Sequence, residues 1–258
     1  MTITDTGAGG AAGKLDIGRV IQELFAVLRR NFATFAILAL ILTGLPTALV
    51  GFLQLDMVRS GARGLSGFGA GGIVSGLAAL ILQAALIYAT VADLNGRPAS
   101  VTDSLRTGLR VFLPLLGISI LYVLAVAFGL VLLVVPGVMI AVAWCVAVPA
   151  FVIEQTGVFD AFGRSAQLTR GNRWRIFGLF VIYVIATIIV EAIVGAIGGA
   201  AGIVTGGGSV GVFQAVVIMP LISAASALIG ATGAAVLYVE LRRLKDGVGP
   251  EGLAAIFD

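Results

Sequence analysis

Residues 176–239 read IFGLFVIYVIATIIVEAIVGAIGGAAGIVTGGGSVGVFQAVVIMPLISAASALIGATGAAVLYV, with a single charged side chain, Glu191. A helix of about 20 residues, at about 1.5 Å rise each, crosses about 30 Å of hydrocarbon, so this stretch holds two crossings. Backbone in the Gly206-Gly207-Gly208-Ser209 run would be costly to leave unpaired in lipid, which puts the turn between them at the far interface. Residues 31–55, 64–92 and 111–153 are also nearly or wholly free of charge. The first two hold one crossing each. The third holds a pair, broken at Pro136-Gly137, where a missing donor and a permissive backbone favour a tight turn. The expected fold is an all-α polytopic transmembrane bundle with six spans, near 32–54, 72–94, 111–135, 138–154, 176–200 and 211–239. Residues 1–15 and 246–258 are expected to be tails outside it.

Composition agrees. The chain has 258 residues, 59% hydrophobic and only 11% charged, with a mean hydropathy of +1.12. Soluble domains are about 25% charged, so the bilayer is the expected solvent. The net charge of +3 forms no continuous basic stripe, which argues against nucleic acid. The lone Cys145 lies in an apolar segment and excludes an intramolecular disulfide. The first 15 residues lack the apolar core of a signal peptide, so the first span is expected to direct insertion.

Basic residues set the orientation. With the amino terminus inside, Lys14, Arg19, Arg29, Arg30, Arg97, Arg106, Arg110, Arg164, Arg170, Arg173, Arg175, Arg242, Arg243 and Lys245 are cytoplasmic, and only Arg59 and Arg63 lie outside. Both termini are therefore expected in the cytoplasm.

Three cytoplasmic segments have helical apolar spacing. Ile17, Val20, Ile21, Leu24, Phe25 and Leu28 form one face of residues 16–30. Val101, Leu105, Leu109 and Phe112 form one face of a segment opened by Ser100 and Asp103 as a capping box. Val158, Phe159, Phe162 and Ala166 form the third, which stops at Gly171. These predict interfacial amphipathic helices. Each leads through basic residues into a span, which suggests a unit of one interfacial helix and two spans, repeated from about residues 16, 99 and 156.

The segment PGVMIAVAWCVAVPAFVIEQTGVFDAFGRSAQLTRGNRWRIFG, from Pro136 onward, carries Trp144, Pro149 and Glu154 in one span. It continues through Ala161-Phe162-Gly163-Arg164-Ser165 to Leu168-Thr169-Arg170-Gly171 and an aromatic-basic re-entry. With Leu237-Tyr238-Val239-Glu240-Leu241-Arg242-Arg243 near the other end, it resembles the membrane domain associated with bacterial glycerophosphoryl diester phosphodiesterases. The resemblance implies a bacterial inner-membrane location and, in some members, fusion to a soluble phosphodiesterase. Here the expectation is the membrane domain alone.

A phosphodiesterase of that type needs general acid/base histidines and a carboxylate cluster for a divalent cation. The sequence has no histidine, and its acidic residues do not cluster. A non-enzymatic protein with no cofactor is expected. Two readings remain. In one, the basic face, with Arg164, Arg170, Arg173 and Arg175 closest together, holds anionic lipid headgroups, a protein partner or a second copy. In the other, Tyr183, Thr187 and Glu191, spaced along one face of span five, serve transport of a small solute or lipid, unless Glu191 simply lies at the outer interface. Gly195 with Gly199, and Ser226, Gly230 and Ala234, are expected to let spans five and six approach closely.

Overall fold

Asp16 caps helix α1 (Ile17–Arg30): its Oδ1 accepts the Arg19 N–H at 3.2 Å, while Arg29 and Arg30 occupy the last turn, at the negative end of the helix dipole. Val20, Leu24 and Val27 form its buried face. The computed structural model describes residues 14–59, 65–98, 100–205 and 212–247. The Gly206–Ser209 turn, Arg63 and most of both tails lie outside these residues.

One residue, Asn31 (φ −113°, ψ 19°), redirects the chain from α1 into the first span. That span consists of α2 (Phe32–Ala39), a π-helical turn (Leu40–Gly44) and α3 (Leu45–Arg59). Pro46 accounts for the turn. Its ring cannot donate a hydrogen bond, and the helix widens just before it, with Leu45 N–H bonded to Leu40 O. Span six repeats the device: a π-helical turn at Gln214–Ile218 precedes Pro220.

Helix α4 (Leu65–Leu94) supplies span two. The second unit follows, with α5 (Val101–Arg110) capped by Ser100, whose Oγ accepts the Asp103 N–H at 3.4 Å. Val111 (φ −92°, ψ 1°) then turns the chain into α6 (Phe112–Leu132), span three. Span four is α7 (Val134–Ala143) and α8 (Ala147–Glu154), and left-handed Gln155 (φ 48°) ends it. The third unit is α9 (Val158–Thr169), α10 (Arg173–Thr205) and α11 (Met219–Asp246). Among the described residues, six helical stretches are long and apolar enough to cross a membrane, over residues 32–53, 71–94, 112–132, 134–154, 173–197 and 216–246.

The hairpin between spans three and four turns earlier than the sequence suggests. Extended Leu133 (φ −164°, ψ 141°) makes the break, and Pro136 sits in the first turn of α7, where a missing N–H costs nothing. Gly137 serves contact instead of turning: a Cβ there would lie 2.6 Å from the Leu130 N.

The three units pack as a ring. Helix α5 lies on α4 of the unit before it, α9 on α8 of the unit before it, and α1 on α11 of the last unit. Gly108 brings α5 against α4, since a Cβ would lie 2.7 Å from the Ile81 O. The short helices and the span ends they meet share one face of the bundle. Span four is the most enclosed, 56% buried over its apolar window; span five is peripheral at 6%.

Candidate functional site

Span four breaks within hydrogen-bonding reach of α9. Pro149 removes one helical donor and its ring crowds the preceding turn, and the chain loses helical geometry over Trp144–Val146. The freed groups find hydroxyls. Ser165 Oγ accepts the Val146 N–H at 3.3 Å and donates to Ala143 O at 2.9 Å, and Thr169 Oγ1 donates to Ala143 O at 3.2 Å. Trp144 packs against Phe162 of α9, the rings tilted by 46° with centroids 4.5 Å apart.

An ionic knot fastens the same two helices to α11. Arg164 Nε lies 3.0 and 3.2 Å from the two Glu154 oxygens, and its Nη2 also pairs with Asp246. Tyr238 donates to Glu154 Oε1 at 2.8 Å, and Arg242 Nη1 donates to the Tyr238 oxygen at 3.3 Å. Burial pulls the Arg164 guanidinium down, but the hydrogen bonds to Asp246 and Glu154 outweigh it and hold its pKa above the ordinary value. Two equivalent ties hold α1. Arg19 pairs with Glu240 at 3.1 Å, and Arg30 with Asp93 at 2.7 Å.

These contacts involve the residues that carry the sequence resemblance, and comparison with protein families agrees. The family model for the membrane domain of glycerophosphoryl diester phosphodiesterase matches residues 109–245, just over half the chain. The chain belongs to this family. Comparison with curated proteins and with solved structures gave no match. In this glycerophosphoryl diester phosphodiesterase membrane domain, Trp144, Pro149, Glu154, Arg164 and Ser165 shape one structural joint between spans four and six.

The candidate lipid-contacting arginines are not equivalent. Arg164 is committed to its two carboxylates. Arg170, Arg173 and Arg175 gather where α9 ends and α10 begins, and none of them has a carboxylate within ion-pair distance among the described residues. Arg175 Nη1 donates to the Leu15 carbonyl at 2.5 Å, leaving further N–H groups on the same fork. Trp174, between Arg173 and Arg175, is 84% exposed.

The members of the intramembrane trio have different surroundings: Tyr183 and Thr187 are half-buried and Glu191 is exposed. Tyr183 donates to Ser226 O at 3.2 Å and Thr187 to Tyr183 O at 2.6 Å, while Glu191 stands on the exposed side of the peripheral span five. Gly230 lies directly under the Tyr183 hydroxyl, 3.2 Å from where its Cβ would be, whereas Gly195 faces open space. Gly199 has no described side-chain environment. No group of three or more Cys, Asp or Glu side chains comes together among the described residues to hold a metal ion.

Sequence reasoning did not find Ser165, Thr169 and Asn172 as main-chain partners, nor the pairing of Asp93 with Arg30 and of Glu240 with Arg19. A signal for the pairing existed: each unit closes its second span with one carboxylate, Asp93, Glu154 or Glu240.

Proposed function

We propose that this chain is a non-catalytic inner-membrane protein of bacteria that binds anionic lipid headgroups at the start of α10. Its basic face and both termini are cytoplasmic, in keeping with the distribution of Lys and Arg. The observation carrying this reading is the contrast between committed and uncommitted arginines. Arg19, Arg30, Arg164 and Arg242 answer carboxylates within the fold, whereas Arg170, Arg173 and Arg175, beside the exposed Trp174, have no ion-pair partner among the described residues. Near a membrane surface each such charge attracts anionic lipid by about 1 kcal/mol, and tryptophan favours the same depth. The absence of histidine supports a role without acid/base chemistry of the phosphodiesterase type.

Native mass spectrometry of gently solubilised protein tests it. Phosphatidylglycerol retained by the parent is expected to fall several-fold in Arg170→Gln/Arg173→Gln, a pair that leaves the Arg175–Leu15 bond in place. Unchanged retention rejects the reading.

A further inference from the structure

On the same face, a cleft of about 290 Å³ opens between α1, the end of α4 and α11. Its lining balances three cations, Arg19, Arg30 and Arg243, against three anions, Glu23, Asp93 and Glu240. Two of each are joined in the pairs Arg19–Glu240 and Arg30–Asp93. Arg243 and Glu23 remain, with no ion pair within 4 Å among the described residues, and both are exposed. Glu23 lies close enough to Arg30 to favour its charge, yet neither Glu23 nor Arg243 is held in an ion pair among the described residues, so the cleft offers one cation and one anion to a ligand.

The rest of the lining is apolar: Leu94 from span two, Val236 and Val239 from span six. Charged groups over apolar walls at a span end mark the depth of lipid headgroups.

We propose that this cleft binds the headgroup of a zwitterionic aminophospholipid, its phosphate at Arg243 and its ammonium at Glu23. An anionic headgroup fits less well, because the Glu23 carboxylate would repel it and the lining as a whole is neutral. This separates the cleft from the unbalanced arginines at the start of α10. The paired arginines at the rim keep spare N–H groups for the phosphate: Arg19 spends only Nη1 on Glu240, and Arg30 only Nε and Nη2 on Asp93.

The test uses the full chain, equilibrated in equimolar phosphatidylethanolamine and phosphatidylglycerol and then read by native mass spectrometry. Parent protein is expected to retain phosphatidylethanolamine, and Glu23→Gln and Arg243→Gln are each expected to lower that retention at least tenfold. Neither variant breaks an ion pair, so both should keep the parent's thermal transition. Arg170→Gln/Arg173→Gln should leave phosphatidylethanolamine retention as in the parent, which keeps this proposal separable from the anionic-lipid reading. Retention unchanged in both cleft variants, or lost in only one of them, overturns the proposal. Binding of soluble phosphoethanolamine without retention of the lipid overturns the lipid assignment.

Discussion

The side-chain oxygen of Asn172 accepts the main-chain N–H of Leu15 at 3.0 Å, across 157 positions of sequence. Leu15 is fully buried, and Arg175 Nη1 holds its carbonyl from the other side. The beginning of the first unit is thus fastened to the first span of the third, and the ring of α1 on α11, α5 on α4 and α9 on α8 closes there. Replacing Asn172 with Leu leaves a buried N–H without a partner, a loss of about 1–3 kcal/mol. Hydrogen exchange should show the amides of α1 opening faster in Asn172→Leu while those of α6 keep the parent's protection.

The hydroxyls of α9 offset the break that Pro149 makes in span four, and they share an acceptor. Ser165→Ala removes the only side chain bonded to Val146 N–H and is expected to cost about 1–3 kcal/mol. Thr169→Val should cost less, because Ala143 O keeps its bond from Ser165. The double variant should lose more than the two single losses added, since only then is Ala143 O left with neither hydroxyl. Thermal unfolding in one detergent, followed by the fluorescence of Trp144 and Trp174, orders the three variants.

Much of this fold is legible in sequence because lipid imposes one rule on every span: a long apolar run whose backbone bonds are met within its own helix. The amphipathic helices are equally legible through their caps, Asp16 and Ser100, and through the spacing of residues such as Val20 and Leu24, although the structure buries Val27, which that face left out, and leaves Phe25 exposed. Pro136 misled because proline both ends helices and starts them; which it does depends on neighbours, here the close fit of Gly137 on Leu130. Family motif residues such as Arg164 read as surface charge for the same reason. Charge is visible in a sequence, but the Asp246 that answers Arg164 is 82 positions away, and only packing brings them together.

Gly108 permits α5 to lie on α4, with the Ile81 carbonyl where a side chain would begin. A backbone atom cannot rotate away, so Gly108→Ala must shift α5, even though alanine favours helices by about 1 kcal/mol over glycine. Overpacking of this kind costs about 1–3 kcal/mol, and it should win. The expected result is a lower thermal midpoint in Gly108→Ala. Alanine at Gly117, where a Cβ meets nothing within 4 Å, should hold or raise it.

Two of the ionic ties on this face differ in enclosure, and their energies should follow. In the Arg164–Glu154 pair the side chains are 25% and 14% exposed; in Arg19–Glu240 they are 50% and 11% exposed. Water screens the Arg19 fork, so a double-mutant cycle with Arg19→Gln and Glu240→Gln should give a coupling of about 0–1 kcal/mol. The cycle with Arg164→Gln and Glu154→Gln should give more, within the range of about 0.5–3 kcal/mol for residues in one network. Glu154→Gln also leaves Tyr238 with a weaker acceptor, so Tyr238→Phe should cost less in that background than in the parent. Equal couplings in the two cycles would show that the joint between spans four and six is no more than a surface contact.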